Sequence, residues 1–204
     1  GGADVGNYSI TDQVSTTANI TAKALTISGL TGTNREYDGT TAATINSAGI
    51  VKTGLVSGDT VTISVTGVFN DKNVGTGKAV TISSTYGGAD VGNYSITDQV
   101  STTANITAKA LTISTNFTST TKEYDGTTSI DITTSSLTGV VDGESVTATG
   151  SGNFDDKNVG TGKTITATYT LSGDDAANYS ISSATTTGSI TTKALTISGL
   201  TGTN

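Results

Sequence analysis

Few kinds of side chain in this sequence could do chemistry: 17 carboxylates, 10 lysines and arginines and 7 tyrosines, with no histidine and no cysteine. Without histidine, no side chain has an unperturbed pKa near neutrality, and the usual nucleophile–base pairings are missing. Without cysteine there is no thiolate metal site and no disulfide framework. Carboxylate chemistry is what remains. Asp155–Asp156 and Asp174–Asp175 are acidic pairs, and clustered oxygens attract calcium. Yet no stretch fits the loop pattern D-x-[DN]-x-[DN]-G. Exposed acidic turns are the simpler reading. No catalytic residue, metal ligand or cofactor is expected, calcium being the one ion these pairs could invite, and an enzyme is the least expected class.

Two other motifs hold reactive groups. EYDGTT occurs at 36–41 and again at 123–128, each copy following a basic residue, Arg35 or Lys122. Asp-Gly favours a tight turn because glycine reaches positive φ and aspartate bonds its own backbone. A tyrosine beside such a turn can bury its ring and send its hydroxyl to a partner. Tyr37, Asp38 and Gly39, with Tyr124, Asp125 and Gly126, therefore read as a structural corner used twice. The competing reading makes Tyr37 and Asp38 a sugar site, ring stacking plus a carboxylate hydrogen bond. FNDKNVGTGK at 69–78 returns as FDDKNVGTGK at 154–163. It resembles a phosphate loop only superficially, since a P-loop needs GxxxxGK[ST] leading into a helix, and here VGTGK joins two strands. A lysine–asparagine crosslink would call on Lys23, Lys72 or Lys78. Asn7, Asn19, Asn93, Asn105, Asn116 and Asn178 lie in N-x-[ST], which a threonine-rich chain produces by chance.

These groups must be carried by strands. DTVTISVTGVF alternates Val61, Ile63 and Val65 with Thr62, Ser64 and Thr66, and KAVTISSTY and KTITATYTL alternate likewise. A period of two marks half-buried antiparallel strands. DG, SGD, VGTG and GG punctuate them. Short strands with frequent turns predict an all-β chain of two tandem immunoglobulin-like β-sandwich domains. A β-grasp-like fold with a short helix near 42–52 is the alternative. The largest core pieces are expected to be Tyr37, Phe69, Tyr86 and Tyr94, then Tyr124, Phe154, Tyr169 and Tyr179.

The chain repeats itself. Residues 1–28 return letter for letter at 87–114, and KALTISGLTGTN at 23–34 returns at 193–204. A period of roughly 85 residues is that of a small domain, not of a solenoid rung. The expected organisation is a tail of a preceding repeat at 1–22, repeat domains at 23–108 and 109–192, and the first strand of a following repeat at 193–204. The terminal pieces, if ordered, should pair with something. No signal peptide opens the chain, so an internal fragment of a longer array is expected.

In fixed order, K-x-YDGTT, SGD-x-V, F-x-DKNVGTGK-x-V, NYSI and KALTI resemble the YDG/MBG-type repeats of large bacterial surface adhesins. Those belong to filamentous-haemagglutinin-like proteins of Gram-negative bacteria, many exported by two-partner secretion. The resemblance covers almost the whole chain in two copies. It implies an extracellular, surface-anchored array working in adhesion or biofilm formation, and it brings no catalytic residues. VSGD at 56–59 becomes VDGE at 141–144, a small departure.

The expected function is a structural stalk segment that extends an adhesive tip. The domains abut without a Gly/Ser linker, so the joint should be stiff. The alternative is a repeat-borne module binding host or matrix glycan or protein, gaining avidity from repetition. The expected partners are neighbouring repeats, end to end. A net charge of −7 repels phosphate backbones and anionic membrane surfaces, so nucleic acid and membrane insertion are not expected.

Overall fold

The computed structural model describes residues 2–134, 136–199 and 202. It is all-β, with three single 3₁₀ turns and no α-helix among those residues. The first repeat contains β1 (Lys23–Ser28), β2 (Thr31–Gly32), β3 (Arg35–Glu36), β4 (Ala42–Ala43), β5 (Ile45–Asn46), β6 (Val51–Thr53), β7 (Thr62–Phe69), β8 (Gly75–Gly87), β9 (Tyr94–Thr97) and β10 (Ser101–Thr107). The second contains β11 (Lys109–Leu111), β12 (Thr115–Phe117), β13 (Thr121–Glu123), β14 (Ser129–Ile130), β15 (Ile132–Thr134), β16 (Thr147–Phe154), β17 (Gly160–Ser172), β18 (Tyr179–Ile181) and β19 (Ala184–Thr191). The stretch near 42–52, where the β-grasp alternative puts a helix, instead holds β4, β5 and most of β6.

A five-stranded sheet, β3-β10-β8-β7-β4, recurs as β13-β19-β17-β16-β14. A smaller sheet, β6-β1-β9, faces the first of these. Its counterpart keeps β11-β18, with a lone bridge, Thr112 to Thr138, where β6 would pair. Not every pair is antiparallel. β1 runs parallel to β9 and β3 parallel to β10, as do their counterparts. The first strands are thus closed into the sheets by the last ones, a pairing across the whole repeat that local periodicity does not reveal.

Alternation decides which side faces inward. Val61 is buried and Ile63 and Val65 half-buried, while Thr62, Ser64 and Thr66 are exposed. Leu25 and Ile27 of β1 pack across from Val61 and Ile82, filling the space between the sheets. Gly67 in β7 permits close layering, because a Cβ there would sit 2.6 Å from Ile45 Cδ1. Tyr86 and Tyr169 are half-buried rather than core residues. Their hydroxyls turn to Asp98 and Thr115.

The terminal segments show how far tertiary context overrides local sequence. Tyr94 and Ile106 in the full repeat are 8% and 1% exposed, yet the identical Tyr8 and Ile20 are 73% and 101% exposed. Leu25 is fully buried, and its copy Leu195 is exposed. Residues 2–22 contain only the 3₁₀ turn Val5–Asn7, and 193–199 contain no strand. Of the strand expected at 193–204, residues 200, 201, 203 and 204 lie outside the described residues. The pairing expected of these ends is not seen among the described residues.

Candidate functional site: the joint between the repeats

The EYDGTT corner lies where the two repeats meet. Asp38 Oδ1 accepts from the Thr40 backbone N–H and hydroxyl, both at 2.8 Å, and pairs with Arg35. The Arg35 guanidinium lies over the Phe69 ring, 5.3 Å from its centroid. Gly39 has φ +80°, as the turn requires. Held this way, Tyr37 packs on the core of its own repeat and reaches the next.

The Tyr37 ring is 1% exposed and meets Tyr179 edge-on, with centroids 5.5 Å apart. Around it Phe69, Val80, Ala104 and Ile106 of the first repeat share one buried cluster with Leu111 and Tyr179 of the second. Val141, Val146 and Leu171 close it from the second repeat's side. The hydrophobic core therefore does not stop at the domain boundary. The sugar-stacking reading of Tyr37 fails here, since no face of the ring is free.

Glu144 is the polar centre of the joint, its side chain only 6% exposed. Its Oε2 accepts from the Tyr179 hydroxyl at 2.6 Å. Its Oε1 accepts from the Tyr37 hydroxyl and, at 2.6 Å, from Lys72 Nζ. Burial alone would push the Glu144 carboxyl up, but hydrogen bonds from Lys72, Tyr179 and Tyr37 outweigh it and hold it below the ordinary range. The Tyr179 hydroxyl is pushed up to about 12 by burial and by the Glu144 carboxylate. The same two causes raise Tyr37. Lys72, bonded to Glu144 and Tyr37, is raised as well.

A second seam lies beside this one. Lys72 also reaches Asp175 Oδ1 at 3.4 Å. Asn178, 4% exposed, accepts the Val74 backbone N–H at 2.9 Å on Oδ1 and donates from Nδ2 to Asn73 Oδ1 at 3.3 Å. The DKNVGTGK hairpin thus serves two ends. Lys72 to Val74 grip the next repeat, while Asp71 binds Lys78 at 2.6 Å and fixes the turn. Nothing in this hairpin resembles a phosphate cradle, for it joins β7 directly to β8.

Three of the other candidate carboxylates are spent on local ion pairs. Asp125 pairs with Lys122 at 2.8 Å, which with the Thr127 hydrogen bonds holds its carboxyl well below the usual range. Asp155 and Asp156 both pair with Lys163. No group of three or more possible ligands suited to a metal occurs among the described residues. Sequence reasoning missed Glu144, Asp175 and Asn178 as joint residues. The available signal was repetition of character: an acid at 59 and 144 and an asparagine at 93 and 178, each at a fixed offset from the NYSI tyrosine.

Two all-β repeats that share one core across their boundary define the protein as a tandem repeat module. The model of the YDG domain matches residues 21–104 and 107–188, so the chain belongs to the YDG domain family in two consecutive copies. No curated protein and no solved structure matches it.

Proposed function

We propose that the chain is a stiff, length-giving segment of a bacterial cell-surface adhesin, placed outside the cell, where it extends an adhesive tip in attachment or biofilm formation. The observation that carries this is the joint: a continuous core with Glu144 bridging Tyr37, Lys72 and Tyr179. A spacer must resist bending, and an interface with buried apolar contact and satisfied hydrogen bonds does so where a flexible linker cannot. The role requires no catalytic residue and no cofactor. Its partners are further repeats, and the tip supplies recognition.

The test is binding of the labelled, folded chain to host cells, matrix proteins and a glycan panel, with and without calcium. The spacer reading predicts no saturable binding on any of them. Saturable binding would overturn it in favour of the repeat-borne glycan- or protein-binding module.

A further inference from the structure

The entering and leaving segments of each repeat run side by side. Lys23 to Thr26 of β1 pair in parallel with Tyr94 to Thr97 of β9, and Arg35 and Glu36 of β3 pair in parallel with Ile106 and Thr107 of β10. Partners stand 71 positions apart in both ladders, and the Asn105 backbone N–H keeps that offset as it donates to Asn34 Oδ1 at 2.8 Å. Residues 23–36 and 94–107 therefore form one parallel pair that begins in the small sheet and ends in the large one. The second repeat follows the same plan. Lys109 to Leu111 pair in parallel with Tyr179 to Ile181, and Thr121 to Glu123 with Ser189 to Thr191.

The chain enters the first repeat at Lys23, beside Tyr94, and leaves it at Thr107, beside Glu36. Entry and exit thus lie at opposite ends of the pair, up to about 45 Å apart at the rise of a strand. Strands pulled from opposite ends of a parallel pair slide along each other, so the hydrogen bonds between them share the load and must yield together. Strands pulled from the open end of an antiparallel hairpin separate pair by pair, each bond meeting the whole force alone. Forced unfolding is governed by the barrier to leaving the native state, and the sliding geometry places the whole ladder in that barrier. One gap lies mid-pair, where the segments pass between sheets and no ladder joins them. Gln99 spans it: the Leu30 backbone N–H donates to Gln99 Oε1 at 2.9 Å, and Gln99 Nε2 donates to the Leu30 carbonyl at 2.7 Å. Leu30 is 2% exposed, so water does not replace these bonds cheaply. The second repeat has Ser182 and Ser183 between β18 and β19, and no such amide bridge occurs there among the described residues.

We propose that each repeat is a shear clamp that bears tension along the chain, with Gln99 tying together the two halves of the first clamp. Thr107 leads almost directly into Lys109, so tension leaving one repeat enters the next at the start of its own parallel pair. The proposal rests on the stalk reading and deepens it. A tip held on a surface puts the segment behind it under tension, and the pairing of first strands with last ones is what resists. A repeat whose first and last strands met as an antiparallel pair would have the same core and would open like a zip.

Single-molecule stretching of the intact chain tests this in two directions. In one, handles sit on the two ends of the chain. In the other, they sit on cysteines introduced at exposed Thr62 and Thr85, which flank the open end of the β7–β8 hairpin. At the same loading rate, the end-to-end pull should meet a clearly higher rupture force than the hairpin pull. Gln99→Ala should speed end-to-end rupture of one of the two repeats about tenfold, the loss expected for one or two hydrogen bonds, and should leave the hairpin pull unchanged. A merely destabilised repeat would weaken in both directions. Equal resistance in the two directions, or a Gln99→Ala effect that is absent or alike in both, would overturn the proposal. The distance across the Tyr37–Glu144 joint, measured without load, reports separately on the stalk reading. A narrow distance with equal resistance defeats the clamp alone, and a broad distance with unequal resistance defeats the stiff stalk alone.

Discussion

Replacing Tyr37 and Tyr124 by phenylalanine, one at a time, separates a joint residue from a corner residue within one motif. The two tyrosines stand in identical hexapeptides, so local propensity and turn chemistry cancel between them. Tyr37→Phe deletes a hydroxyl that donates to the buried Glu144 carboxylate, whereas Tyr124→Phe deletes one with no partner among the described residues. A hydrogen bond to a charged group contributes about 1.5–3 kcal/mol. Lys72 Nζ still donates to the same Glu144 oxygen at 2.6 Å, so the low end applies, about 1.5 kcal/mol, or roughly tenfold in the unfolding equilibrium. Tyr124→Phe should cost less than about 0.5 kcal/mol, the range of a surface substitution. Urea unfolding with a cycle against Glu144→Gln is the assay. The coupling between Tyr37 and Glu144 should be about 1 kcal/mol or more, and that between Tyr124 and Glu144 near zero. Equal losses for the two tyrosines would refute the reasoning, because the motif would then act only as a local turn.

Three further outcomes follow from the same geometry. Gly39→Ala and Gly126→Ala both force positive φ on alanine, about 1–2 kcal/mol each, but a Cβ at 39 also meets Val141 Cγ1 at 2.9 Å while one at 126 meets nothing; thermal unfolding should show the larger loss at 39. Asn178→Ala strands the Val74 backbone N–H in the joint and should cost about 1–3 kcal/mol, against near zero for exposed Asn93→Ala, read by the same melts. Glu144 is lowered in the folded state, so its contribution is complete above the ordinary carboxylate range and is lost as pH falls through its depressed value; Tyr179, raised from 10.0 to about 12, contributes fully below its ordinary value and loses that contribution as pH rises through about 12. Joint stability against pH, followed through tyrosine resonances, should therefore fall off at both extremes, and Glu144→Gln should flatten the acid limb.

Much of the fold was legible in the sequence because alternation is local. Val61, Ile63 and Val65 announce an inward face without reference to anything else, and the Asp-Gly corners are dictated by glycine's positive φ. The parallel pairing of β1 with β9 was not legible, since it joins residues some 70 positions apart. Nor was the joint. EYDGTT reads as a turn in both copies and is a turn in both copies; only packing against the second repeat makes Tyr37 a buried contact, while Tyr124 is half-buried. The change from Asp59 to Glu144 reads as minor for the same reason. A carboxylate at the rim of one repeat becomes a buried bridge only when tyrosine and lysine arrive from another.

Through the Tyr37–Glu144 joint the two repeats should behave as one body, and a distance between them measures this directly. The chain has no cysteine, so spin labels can be placed cleanly on cysteines introduced at exposed Thr66 and Thr168, one in each repeat. A single narrow distance distribution that broadens on Tyr37→Ala is the predicted result. A broad distribution in the unmodified joint, or a narrow one indifferent to Tyr37→Ala, would contradict the account.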